Sequence, residues 1–177
     1  MATKHLISLD MMFILRSRKH ARRMVANYDA GFNEASRRVS CLGAESDVEL
    51  QAVAKMAECA FAIWAGLNPI IAVHWGESVD SGYDVLFFYR VDVKETAMEN
   101  RFLIWPLGKN DIWRHKRERF DVLVLVKSAP PLFLMAGWVD AETFESKHCV
   151  ADDEHPLRSG TWFMHERNLR SMDHFPF

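Results

Sequence analysis

The chain has 177 residues, a formal net charge of −2 and 49% apolar residues. That length and apolar content suit one domain with a real core and exclude a disordered or low-complexity chain. The isoelectric point near 6.4 excludes a uniformly basic nucleic-acid binder, since such domains often exceed a pI of about 9.

The apolar stretch Leu6 to Leu15 contains Asp10 and is too short to span a membrane. A basic run, Arg16 to Arg23, follows it and reads as part of a helix to Tyr28. Dense basic runs are either solvated faces or phosphate-contacting elements, and this one fits both. Residues 1–44 are expected to form a helical, basic extension, and residues 45–177 the main domain. The three cysteines, Cys41, Cys59 and Cys149, include no close pair. That argues against a disulfide scaffold and for a reducing compartment. A soluble, cytoplasmic protein without membrane contact is expected.

Residues 44–67 carry the strongest helix signal. Ser46 and Glu49 have capping-box spacing. Val53, Met56, Ala57, Ala60, Phe61 and Trp64 recur at helical intervals, and Gly66 with Pro69 ends the pattern. Residues 70–75 read as a strand, and 76–82 as a turn. Residues 83–88 and 89–96 read as two strands joined tightly at Phe88 and Tyr89. Residues 97–109 fit an edge strand or a substrate loop, and Asp111 caps an expected basic helix through Arg119. Residues 121–126 are continuously apolar, as in a strand covered on both faces. Pro130 and Pro131 break the chain before a second buried strand, 132–139. Asp140 is expected to cap a short helix. A polar loop from 146 to 160 and a final helix over 165–172 complete the chain. The order predicts an α/β (α+β) domain with a central mixed β-sheet flanked by helices.

The segment from Gly82 to Thr96 raises the chemical question. It places Asp84, Asp92 and Lys94 in strands that otherwise read as buried, where unpartnered charges are costly. Side chains alternate along a strand, so Asp92 and Lys94 share a face while Val91 and Val93 take the other. If the preceding strand pairs with this one, Asp84 approaches the same patch. Two carboxylates and an ammonium at one spot suit metal-assisted phosphodiester hydrolysis. Hard oxygen ligands hold Mg²⁺ (or Mn²⁺), the ion activates water, and a lysine orients that water and offsets developing charge. The Val93 carbonyl is a further candidate ligand. The bland alternative is a solvated strand face in which Asp92 and Lys94 form an ion pair contributing about 0–1 kcal/mol, with Asp84 serving a turn.

Asp84 followed by Asp92-Val93-Lys94 resembles the D…(D/E)xK signature of the PD-(D/E)xK nuclease superfamily. Lys55 to Pro69 resembles that family's first core helix, which often carries an acid at the position of Glu58. "FDVLVLV" and "FLMAGWV" resemble its later core strands, and Thr161 to Met172 the closing segment of some phage and restriction-type members. The similar region runs from about residue 45 to 172. Two features depart from the usual pattern: Tyr83 replaces a proline before the first acid, and the last acid is Asp rather than Glu. The resemblance implies a restriction-endonuclease-like core and an Mg²⁺-dependent endonuclease or exonuclease acting on DNA. It implies that Asp84, Asp92 and Glu58 ligate the metal and that Lys94 positions the attacking water. A homodimer is a further expectation, because two sites cut two strands. Glu58 itself lies on the shoulder of the helix's apolar stripe, with Ala54, Ala62 and Ala65 near it. A plain surface glutamate fits that position too, and Glu77 and Glu95 are nearby substitutes.

Two other classes compete. One is a catalytically silent protein of the same fold that binds nucleic acid or a protein partner. The other is an unrelated α/β enzyme or interaction protein in which the strand charges are incidental. His148, Cys149, His155 and His165 lack the paired spacing of structural zinc, so zinc is not expected.

Overall fold

The computed structural model describes residues 5–29, 44–76, 83–105, 120–157 and 159–177. Its elements in chain order are β1 (His5–Ser8), α1 (Met11–Asp29), α2 (Ala44–Trp64), α3 (Pro69–Ala72), β2 (Val85–Leu86), β3 (Arg90–Ala97), β4 (Phe102–Trp105), β5 (Val122–Ala129), β6 (Leu132–Asp140), α4 (Ala141–Lys147), β7 (Cys149–Val150) and β8 (Trp162–His165). Two short 3₁₀ turns, Glu166–Asn168 and Met172–His174, close the chain. The expected basic helix after Asp111 falls outside the described residues.

The fold is mixed α/β, built on a five-stranded sheet in the order β1-β6-β5-β3-β2. The β3–β5 pair is parallel and the others are antiparallel. β5 is buried at every residue but the last, which is why its sequence is apolar on both faces. Val122, Val124 and Val126 join the core beneath α2, with Val91, Val93, Met56 and Phe61. Leu123 and Leu125 join the second core, under the small sheet β4-β8-β7, with Leu103, Trp105 and Met164. Fully buried side chains of this size contribute about 1.5–3 kcal/mol each. Alanines 52, 57, 60 and 62 of α2 are also buried and let the helix lie close on the sheet.

The expected boundary at residue 44 falls at the start of α2. On its N-terminal side, β1 pairs with β6, from His5 opposite Met135 to Ser8 opposite Leu132. Asp10, the acid inside the apolar stretch, starts α1: its Oδ1 accepts from the Met12 N–H at 2.9 Å, satisfying an otherwise unpaired helix donor. α1 then packs along α2. Among the described residues no helix is long and apolar enough to cross a membrane.

Several expected elements are corrected. Residues 70–75 do not form a strand. Asn68 caps α3 by accepting from the Ile70 N–H, and Pro69 occupies the first helical turn, where its missing N–H costs nothing. Only Val73 makes a bridge, to Val85. The strand expected over 83–88 shrinks to two residues. α2 begins at Ala44, so Ser46 lies inside the helix rather than capping it. The expected C-terminal helix over 165–172 does not form: His165 ends β8, which pairs with β4, Glu166–Asn168 make a 3₁₀ turn, and Arg170 bridges to Trp138. The β4–β8 pairing makes residues 102–105 a strand of the second sheet.

Candidate active site

β2 is short and β3 is long, so β3 runs past its neighbour and leaves an open edge at residues 92–94. Asp84, just before β2, fills that edge. Its N–H donates to the Val91 carbonyl at 2.9 Å. Its Oδ2 accepts from the Val93 N–H at 2.7 Å. Asp84 is therefore anchored on both sides of Asp92. On β3, Asp92 and Lys94 share the face of their partners Leu123 and Leu125, towards the small sheet. Trp105 of β4 receives Lys94 there, with the ammonium 4.6 Å from the ring centroid, a favourable cation–π placement.

Asp92 is only 3% exposed. Lys94 Nζ lies 2.6 Å from Asp92 Oδ2, as a buried ion pair. Among the described residues no other donor reaches this buried oxygen. Burial pushes the Asp92 carboxyl above the usual range, Lys94 opposes the shift, and Asp84 adds to it. The two carboxyls are close enough for one to bond the other when protonated. Burial alone would lower the Lys94 ammonium. Asp92, Asp84 and Glu58 outweigh it, so Lys94 is raised and stays charged.

Glu58 approaches from α2, on the other side of the sheet edge. It is 6% exposed, so it lies inside the protein rather than on the shoulder of the helix. Lys55, one turn earlier, holds it at 2.5 Å and also donates to the His74 carbonyl at 3.0 Å. Burial, then the charge of Asp84, raise the Glu58 carboxyl to about 8 against the pull of Lys55, with Asp92 adding to the rise. Asp84, Asp92 and Lys94 are thus brought together on β3, with Val93 between the strand residues, and Glu58 lies near enough on the α2 side for the charges of Asp84 and Asp92 to act on it. Of the proposed substitutes, Glu95 points to the α2 face and accepts from the Ser128 hydroxyl, while Glu77 lies outside the described residues. Lys55 was missed by the sequence reading. Its signal was position, since i and i+3 on a helix share a face.

Three carboxylates face two ammonium groups, and the buried Asp92 oxygen has Lys94 alone for a partner. Buried like charges of that kind are relieved by protonation or by a cation. The donor set is all oxygen, which suits a hard divalent ion such as Mg²⁺ or Mn²⁺. Among the described residues, no three His, Cys, Asp or Glu side chains already stand in ligating positions. Lys55 and Lys94 occupy Glu58 and Asp92 instead. Comparison with known protein families, with curated proteins and with solved structures finds no match to this chain.

Proposed function

We propose that the chain is a metal-dependent deoxyribonuclease with a restriction-endonuclease-like core, hydrolysing DNA phosphodiester bonds. The observation that supports this reading best is the buried Asp92–Lys94 pair with Asp84 bonded beside it on β3, and Glu58 near enough from α2 to feel the charge of both aspartates. A helix before the site, a short hairpin carrying the two aspartates and a parallel β3–β5 pair are consistent with that core.

Asp84 and Asp92 would hold Mg²⁺ or Mn²⁺, with Glu58 and the Val93 carbonyl as further ligands. The ion, when bound, supplies charge at the phosphoryl oxygens and lowers the pKa of water. Lys94 keeps its proton and orients the attacking water, offsetting charge that develops on the phosphoryl group. Trp105 fixes the direction of the Lys94 ammonium. Lys55 balances Glu58 and ties α2 to the His74 backbone.

The test is a cleavage screen over linear, circular, single-stranded and branched DNA, with Mg²⁺, with Mn²⁺ and with EDTA. Ion-dependent cleavage, lost in Lys94→Ala, is expected. Cleavage that survives both EDTA and this substitution removes the proposal. The competing reading, a silent protein of this fold that binds nucleic acid or a protein, draws on the two lysines that already neutralise carboxylates. Isothermal titration separates the two: heat of Mg²⁺ or Mn²⁺ binding that disappears in Asp92→Asn favours the enzyme.

A further inference from the structure

The basic run of α1 plays no part in the chemistry above, and its flanks differ. At about 100° per residue, the buried stripe of α1 runs through Ser17, Ala21 and Val25. Arg18 and Arg22 lie on one flank, where Arg18 pairs with Glu49 of α2 at 3.3 Å. Arg16, His20 and Arg23 lie on the other, at spacings of four and three residues. This second flank meets Trp75. The Arg16 guanidinium stands 4.6 Å above the indole, and the His20 ring meets it edge-on at 5.7 Å.

Trp75 leads directly to the carboxylates. Its Nε1 donates to the Pro69 carbonyl at 3.0 Å, which fixes the indole. The preceding residue, His74, donates its N–H to the Asp84 carbonyl at 3.0 Å and accepts from Lys55 at its own carbonyl. The His74 ring is pressed against Gly76, where an added Cβ would come within 2.6 Å of it. The charges along this path have one sign. Burial, then Lys55, His74, Arg23 and Arg16, all basic, hold the His20 imidazole down to about 4. A ridge of basic groups thus runs along α1 and ends beside a cluster of acids.

We propose that the Arg16–His20–Arg23 flank of α1, with Trp75, binds the sugar-phosphate backbone of a DNA strand and leads that strand into the carboxylate cluster. This assignment rests on the phosphodiesterase reading of the cluster. Each strand of a duplex carries one phosphate about every 3.4 Å of helix axis, so a strand with one phosphate at Asp84 and Asp92 presents others to neighbouring surfaces. Arginine is suited to them by its forked donors. Trp75 holds Arg16 in place.

Fluorescence anisotropy of a short labelled duplex, and of the labelled single strand, measures binding by the full chain in EDTA, without turnover. Arg16→Gln with Arg23→Gln is expected to weaken binding at least about ten-fold and to flatten the dependence of log affinity on log salt by about two. Arg18→Gln with Arg22→Gln removes the same charge from the opposite flank and is expected to change affinity by less than about three-fold. Arg16→Lys with Arg23→Lys is expected to restore most of the affinity, which a folding defect would not allow. Equal losses in the two Gln pairs, no loss in the first, or no DNA binding by the unaltered chain overturns the proposal. The two readings fail separately. Binding that depends on Arg16 and Arg23 without ion-dependent cleavage removes only the hydrolase. Cleavage with binding indifferent to Arg16 and Arg23 removes only the α1 surface.

Discussion

The two halves of β3 and β5 both bury charge, and they do so differently. Towards the C-terminal ends, Glu95 accepts from Ser128, and Lys127 pairs with Glu166 at 3.0 Å. There Lys127 has one counter-charge, and Glu95 has a neutral hydroxyl while burial raises its carboxyl. Towards the other end, the three carboxylates of Asp92, Asp84 and Glu58 share two ammonium groups, Lys94 and Lys55. Burial of charge therefore does not mark a site by itself. An unequal count of buried charges is the more telling sign. The matched end reads as architecture and the unmatched end as chemistry.

The contrast can be broken most directly at Asp92. Asp92→Asn is expected to lower ion-dependent DNA cleavage on the order of 10²–10³-fold while raising the ion-free melting temperature at pH 8, because it removes a crowded negative charge. A loss of both activity and stability would place Asp92 in the same class as the matched end.

The pH dependence of stability is the next largest effect. The Glu58 carboxyl is raised from 4.5 to about 8 in the folded chain. Between those values the folded state holds more protons than the unfolded state, so stability falls as pH rises. Burial costs of this kind amount to a few kcal/mol. Denaturant melts of the ion-free protein should lose that stability between about pH 4.5 and 8, and Mg²⁺ should flatten the slope. A flat profile without ions would mean that the carboxylates are balanced after all.

At the matched end the signs reverse. Glu166→Ala leaves Lys127 buried without its partner and should cost about 1–3 kcal/mol in chemical denaturation, with cleavage unchanged. The smallest effect belongs to Asp140, which caps α4 by accepting from the Thr143 N–H at 2.6 Å and pairs with Arg170 at 2.8 Å. Burial works against its ionised form, but the bonds from Thr143 and the charge of Arg170 outweigh it and lower the carboxyl. Asp140→Ala should cost about 1 kcal/mol. In the parent chain this contribution is present above the unfolded carboxyl's pKa and is lost as pH falls through the lowered folded value.

The sequence carried much of this contrast. The apolar runs of β5 and β6 were legible because a strand buried on both faces has few alternatives. The α2 pattern was legible because its apolar spacing is long. Asp84, Asp92 and Lys94 were found by the mismatch between their charge and their surroundings. What stayed hidden depended on distant partners. Residues 165–172 looked helical, but only a 3₁₀ turn forms there, after β8 has paired with β4, and nothing local announces that pairing. α3 was a different miss, because Asn68 and Pro69 are an ordinary start signal that the apolar run behind them obscured. Lys55 was overlooked because a lysine on a helix is usually solvated, and only the approach of the His74 carbonyl and Glu58 encloses it.

The outer edge of β6 is covered in two instalments. β1 pairs with its first half, and beyond that point Trp138 exchanges both backbone hydrogen bonds with Arg170. Its indole also donates to the Ser171 carbonyl at 3.1 Å. The sheet is therefore sealed by residues that leave the ribosome more than a hundred positions apart. A nascent chain halted before residue 170 exposes a raw β-edge at Trp138, open to whichever strand arrives first.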